Sequence, residues 1–148
     1  MSRRLVIIPT YNEIENIERI IRNVFSQRSS FDILVVDDSI VRGTTTPHVV
    51  GLLKKGGARE IHLRICAPPI ISPCHFGVDL STKKELIAAN MSVEEIRKYV
   101  GADSLGYLSH EGLLKAVRSS KEQFCMGCFT GDYPIPVQLE MDKLILEA

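Results

Sequence analysis

Two adjacent carboxylates, Asp37 and Asp38, close the apolar run Ile33-Leu34-Val35-Val36 and open the stretch Ser39-Ile40-Val41-Arg42-Gly43-Thr44-Thr45. Carboxylates at the end of a strand can accept hydrogen bonds from ribose hydroxyls or ligate a hard cation such as magnesium. A small-residue, hydroxyl-rich loop that runs into a helix offers backbone N–H groups and Thr hydroxyls to a phosphate. Together they make a seat for a phosphorylated sugar. The second candidate chemistry is thiolate chemistry. Cys125 and Cys128 stand one turn apart in Cys125-Met126-Gly127-Cys128, with Cys74 and Cys66 elsewhere in the chain. A lone pair of this spacing reads equally as a metal site or as free thiols in a turn. His75 adjoins Cys74 and is badly placed to share an ion with it. His48, His62 and His110 lack sequence neighbours that would make a catalytic set and read as structural or surface residues. The Lys83-Lys84 and Glu94-Glu95 pairs read as solvated helix faces.

The elements that position these residues follow from periodicity. Residues 5–8 form a short apolar run stopped by Pro9, and Asn12 with Glu15 reads as a capping-box start for an amphipathic helix reaching about Gln27, with Ile14, Ile17, Ile20, Ile21 and Val24 on its buried stripe. Residues 33–36 make a second buried strand. Pro47 then stands in the first turn of a helix that Gly56-Gly57 should stop. Residues 61–65 make a third strand. Strands alternating with helices in this way predict right-handed crossovers and an α/β fold, a three-layer sandwich around a doubly wound parallel sheet of Rossmann-like or phosphoribosyltransferase-like type. Beyond Ala67-Pro68-Pro69 the periodicity turns mainly helical. Capping boxes are expected at Thr82 with Glu85 and at Ser92 with Glu95, a short strand at 105–108, a helix capped by Ser109 to about Val117, and a final amphipathic stretch from 136 to 146.

Composition limits what the chain can be. At 148 residues it fits one domain that buries roughly two-thirds of its extended surface. Eighteen basic residues balance eighteen acidic ones, so no overall field favours nucleic acid or an anionic membrane, and any anion site must be local. The apolar runs are strand-sized, too short to span a bilayer or to follow Arg3 and Arg4 as a secretory signal, which predicts a cytoplasmic chain with no membrane partner. Cysteines in that setting are thiols or metal ligands before disulfides.

Two family resemblances lie on named residues. Residues 33–136 resemble the C-terminal phosphoribosyltransferase part of glutamine phosphoribosylpyrophosphate amidotransferase (amidophosphoribosyltransferase) in five ordered blocks. These blocks are residues 36–45; Pro68-Pro69-Ile70 with Pro73-Cys74; Glu85-Leu86-Ile87-Ala88-Ala89-Asn90; residues 101–108; and Cys128-Phe129-Thr130-Gly131-Asp132-Tyr133-Pro134. Residues 5–39 instead resemble the first β-α-β unit of family 2 glycosyltransferases of the dolichol-phosphate mannosyltransferase kind, in Ile7-Ile8-Pro9-Thr10-Tyr11-Asn12-Glu13 and in Val35-Val36-Asp37-Asp38. Residues 33–39 satisfy both patterns and mark a crossover point.

The first resemblance implies that Asp37 and Asp38 hold ribose hydroxyls and help bind magnesium, while Ser39, Ile40, Val41, Arg42, Gly43, Thr44 and Thr45 cradle the 5-phosphate. It also implies that Cys74, Cys125 and Cys128 occupy three of the four cysteine positions that hold an iron–sulfur cluster in some relatives, with Cys66 the spare thiol; zinc is the alternative ion. The family's pyrophosphate turn, lid and glutaminase domain fall in the region that differs here. The metal-binding Asp-x-Asp turn of the glycosyltransferases does not follow either. The sequence therefore predicts a single domain (glycosyltransferase-like over 1–39, phosphoribosyltransferase-like over 33–136, a C-terminal helix over 137–148). We read it as a truncated, recombined fragment that at most binds ribose-phosphate or phosphoribosyl pyrophosphate with magnesium. Its alternatives are an inactive structural chimera, designed or natural, and an active phosphoribosyl- or glycosyltransferase. Faces left bare by the lost parts would favour a homodimer.

Overall fold

The structure, a computed structural model, describes residues 5–10, 14–26, 32–78 and 82–136. In chain order it contains β1 (Leu5–Thr10), α1 (Ile14–Phe25), β2 (Asp32–Asp37), α2 (Thr45–Lys55), β3 (His62–Ile65), α3 (Ile87–Asn90), α4 (Val93–Val100), β4 (Ser104–Tyr107), α5 (His110–Ala116) and α6 (Gly127–Thr130), with single 3-10 turns at Lys83–Glu85 and Lys121–Gln123. The four strands are all parallel and lie in the order β1-β2-β3-β4. This is the parallel α/β sheet that the apolar runs predicted.

Strand order and layering are linked. Consecutive parallel neighbours joined by right-handed crossovers place successive helices on the same side of the sheet. Accordingly α1 packs on α2, α2 on α4, and α4 on β4. The core lies under these helices, where Val35, Leu63 and Ile65 meet Ile21, Val49, Val50, Leu53, Ile96 and Val100, all buried. Each such side chain contributes about 1.5–3 kcal/mol relative to an exposed one. Toward the other side β3 presents His62 and Arg64, both exposed, in alternation with buried Leu63 and Ile65. Residues 61–65, expected as one buried run, instead alternate polar and apolar, the signature of a strand with one wet face.

Local sequence chemistry fits most element ends. Ser92 and Glu95 form the expected capping box, with the Ser92 N–H donating to Glu95 Oε2 at 2.7 Å and the Glu95 N–H to Ser92 Oγ at 3.3 Å. Ser109 caps α5 by accepting the Gly112 N–H at 3.0 Å. The box expected at Thr82 does not form: the Thr82 side chain makes no cap hydrogen bond, and residues 83–85 close only one 3-10 turn. Four residues later the chain must already be turning into α3, which leaves no room for a full helical turn. Ile20, assigned to the buried stripe of α1, is 37% exposed, while Ile21 is 1% exposed. α2 starts at Thr45, two residues before Pro47, and ends at Lys55 with Gly57 in the left-handed region. The capping pair Asn12 and Glu15 and the final stretch to 146 fall outside what is described, Asn12 and residues 137–148 wholly and Glu15 in its side chain.

Candidate functional site

β2 delivers Asp37 to the carboxyl edge of the sheet, where its carbonyl accepts the Cys66 N–H at 2.9 Å, the last rung between the ends of β2 and β3. There the ladder stops and the loop begins. Its first turn is held locally, the Asp38 N–H donating to Asp37 Oδ1 at 3.1 Å and the Ser39 hydroxyl to Asp38 Oδ2 at 3.2 Å. Ile40 then dips into the core at 2% exposure and anchors the loop from below. The Val41 carbonyl accepts the Ile87 N–H at 2.9 Å, which ties the loop to the start of α3.

Gly43 completes the turn at φ 72°, and a Cβ built there would stand 2.6 Å from Ile87 Cδ1. Only glycine meets both demands, a left-handed backbone and a close approach to α3. Thr44 follows at the N-cap of α2 without a side-chain cap hydrogen bond, Thr44 and Thr45 are exposed, and the first turn of α2 carries no acid. The unsatisfied N–H groups and positive end of this 11-residue helix thus face the cleft without a competing carboxylate in that turn. Arg42 reaches sideways to Glu85, Nη2 to Oε2 3.3 Å, an exposed pair of small energetic weight.

Residues 37–46 line one cleft of about 280 Å³, at the small end of the range for ligand pockets. All nine sequence-assigned residues, Asp37, Asp38, Ser39, Ile40, Val41, Arg42, Gly43, Thr44 and Thr45, border it. Among the described residues no three His, Cys, Asp or Glu side chains assemble into a metal-holding group. Asp37 and Asp38 therefore fit magnesium in one manner: as one or two carboxylates of a shell that water and phosphate or sugar oxygens of a ligand complete, the arrangement this cation favours.

The cysteines behave differently. The Cys128 carbonyl accepts both the Ile71 and Ser72 N–H groups, at 2.9 and 3.0 Å, and the Tyr133 hydroxyl donates to the Pro73 carbonyl at 2.5 Å, so α6 is clamped onto the segment before Cys74. The Cys74 and Cys128 thiols meet there. The Phe76 N–H, 3.4 Å from Cys74 Sγ, and then the Val78 N–H hold the Cys74 thiol below its ordinary value, whereas burial, followed by the neighbouring Cys74, pushes the Cys128 thiol up to about 11. Cys125 is exposed just before α6, and Cys66 is exposed just past β3, at the other end of the segment. The structure puts the Cys74 and Cys128 thiols in contact, with Cys125 close enough to help raise Cys128. His75 turns its ring to Tyr133, centroids 5.0 Å apart.

One constellation was not foreseen. On the exposed side of the sheet His62 Nδ1 lies 2.8 Å from Ser104 Oγ and Nε2 lies 3.3 Å from Glu60, while Arg64 Nη1 donates to Ser104 Oγ at 3.1 Å. The alternation His62-Leu63-Arg64-Ile65 was the available signal.

The strand–loop–helix seat, with two acids at the strand end and a hydroxyl-bearing loop entering a helix, defines a phosphoribosyltransferase-like α/β unit. Comparison with known proteins specifies the kind. The chain is 49% identical over 138 residues to the amidophosphoribosyltransferase of Methanocaldococcus jannaschii, covering 93% of this chain and 29% of that protein. It is 45% identical over 141 residues to the enzyme of Methanothermobacter thermautotrophicus, covering 95% of this chain and 30% of that protein. With chloroplastic amidophosphoribosyltransferase 2 of Arabidopsis thaliana it shares 54% identity over 103 residues, 70% of this chain and 18% of that one. The solved glutamine phosphoribosylpyrophosphate amidotransferase from B. subtilis, complexed with ADP and GMP, superposes with a TM-score of 0.66 at 50% identity, covering 72% of this chain and 24% of that one. Residues 5–60 match the Glycosyl transferase family 2 model, further than residue 39 where the sequence resemblance was drawn. The chain thus carries an amidophosphoribosyltransferase-like phosphoribosyltransferase part behind a family 2 glycosyltransferase-like opening. It spans under a third of the length of these curated relatives. Among the described residues no helix is long and apolar enough to cross a membrane.

Proposed function

We propose that this chain is a recombined amidophosphoribosyltransferase-like fragment that binds a phosphorylated ribose, with magnesium, at residues 37–45, and does not turn it over. One observation carries the reading: ten consecutive residues line a single cleft that ends on a helix N-terminus whose first turn carries no acid. In this seat the backbone N–H groups of the loop and the first turn of α2, with the Thr44 and Thr45 hydroxyls, donate to the 5-phosphate. The Asp37 and Asp38 carboxylates accept from the ribose hydroxyls. Magnesium, when bound beside them, supplies charge neutralisation to the phosphate groups.

Turnover needs a second set of groups to hold the leaving pyrophosphate, and the resemblance puts these upstream of the loop. Here β1 takes the neighbouring place in the sheet, with Thr10 opposite Asp37. Its sequence, Leu5-Val6-Ile7-Ile8-Pro9-Thr10, falls within the match to the family 2 glycosyltransferase model. That match over residues 5–60 favours a second reading, an inactive chimera in which the loop persists only as architecture. Thermal shift separates the readings, because a ligand that binds only the folded state raises its stability. A rise with phosphoribosyl pyrophosphate and magnesium, and none with a nucleotide-sugar and manganese, supports the fragment reading. No rise with either leaves the chimera.

A further inference from the structure

We infer that Arg64, on the exposed face of the sheet, is a preorganised bidentate seat for a small oxyanion, phosphate or carboxylate, separate from the loop at residues 37–45. The parallel register sets it up. His62 faces Ser104 and Arg64 faces Gly106 across the β3–β4 ladder, so the four residues share one side of two adjacent strands. Because Gly106 has no side chain, the arginine stem lies flat over it: a Cβ built on Gly106 would stand 3.4 Å from Arg64 Cδ and 3.7 Å from Nε.

The guanidinium is then fixed by one nitrogen alone. Nη1 donates to the Leu63 carbonyl at 2.7 Å and to Ser104 Oγ at 3.1 Å. Ser104 is itself oriented. With His62 Nε2 donating to Glu60 at 3.3 Å, Nδ1 is the acceptor for the Ser104 hydroxyl at 2.8 Å, and the serine oxygen is left to receive Arg64. The chain of donors runs from Arg64 through Ser104 and His62 to Glu60.

This leaves the opposite edge of the guanidinium, Nε–H and Nη2–H, without an acceptor, and no ion pair forms at Arg64 among the described residues. That edge holds two parallel N–H groups at the spacing of two oxygens of a carboxylate or phosphate. An exposed arginine with free rotamers loses side-chain entropy when it grips an anion. Here the stem and Nη1 are already placed, so less is lost.

The test is a titration of the whole chain by side-chain NMR at constant ionic strength, following the Arg64 Nε–H signal with exposed Arg59 as internal control and the amides of residues 43–46 as a separate reporter of the loop. One arm uses inorganic phosphate and the other acetate. The expected result is a saturable Arg64 shift in at least one arm while Arg59 drifts linearly; the responding arm identifies the oxyanion. Ser104→Ala, which removes one Nη1 acceptor, should weaken binding roughly fivefold. Gly106→Val, which lifts the stem, should abolish it, with the fold checked by circular dichroism. An Arg64 signal that moves only in parallel with Arg59 overturns the proposal. So does saturable binding that is unchanged in both variants.

Discussion

The loop at residues 37–46 and the cysteine corner around Cys74, Cys125 and Cys128 both carry a family signature, yet they are built in opposite ways. The loop is contiguous: one strand end, one turn and one helix start supply every lining residue. The corner needs the segment after β3 to meet α6 more than fifty residues later, where the Cys74 and Cys128 thiols touch and Cys125 stands nearby. A site encoded in one stretch depends on that stretch alone. A site assembled from several stretches depends on every one of them arriving in place.

The largest effect that sharpens this contrast is expected at Gly43. Gly43→Ala forces a side chain into the left-handed region and against Ile87, and should cost about 2–3 kcal/mol in urea unfolding together with ligand binding at the loop. At the corner, a Cβ on Gly127 would run into the Tyr133 ring, so Gly127→Ala should cost about 1–2 kcal/mol, lengthen the Tyr133–Pro73 hydrogen bond and leave loop binding intact. If Gly127→Ala also removed loop binding, the two regions would not be independent and the comparison would fail.

A rate measurement comes next. With Cys74 held below its ordinary value and Cys128 raised to about 11, iodoacetamide near pH 8 should label Cys74 at least about tenfold faster than Cys128, as timed mass spectrometry would show. Equal rates would mean that the thiols do not share the corner as described. The smallest effect is expected at Tyr107, at the end of β4, whose buried hydroxyl has no partner among the described residues and whose pKa burial lifts to about 12. The folded state holds that proton more tightly than the unfolded one. Its contribution is therefore complete below about pH 10, where a free tyrosine titrates, and is lost as pH rises toward 12. Tyr107→Phe should be neutral or stabilising by up to about 1 kcal/mol at pH 7 and should flatten the alkaline limb of the stability curve.

What could be read in the chain follows the same division. The β2–loop–α2 unit was legible because periodicity, the strand-end acids and the Thr-rich helix start lie side by side in sequence. Ser92 with Glu95 and Ser109 were legible as caps for the same reason. The Arg64–Ser104–His62 network was not, because the residues are 40 and 42 apart and meet only through the β3–β4 register. Nor was the Arg42–Glu85 pair, 43 residues apart. Ile20 was misplaced because, at about 100° per residue, it falls at the edge of the apolar stripe, with Ile21 nearer the middle, and that edge is left to solvent. At Thr82 the box pattern was present, but Leu86 is fully buried and pulls the chain out of the turn.

The central claim is that the loop remains a ligand seat. Calorimetric titration of phosphoribosyl pyrophosphate with magnesium into the purified chain, beside Asp37→Asn, tests it directly. The account predicts saturable heat from the unaltered chain and its loss in the variant, with the fold unchanged. No heat from a cooperatively folded sample, or heat that survives in Asp37→Asn, would contradict it.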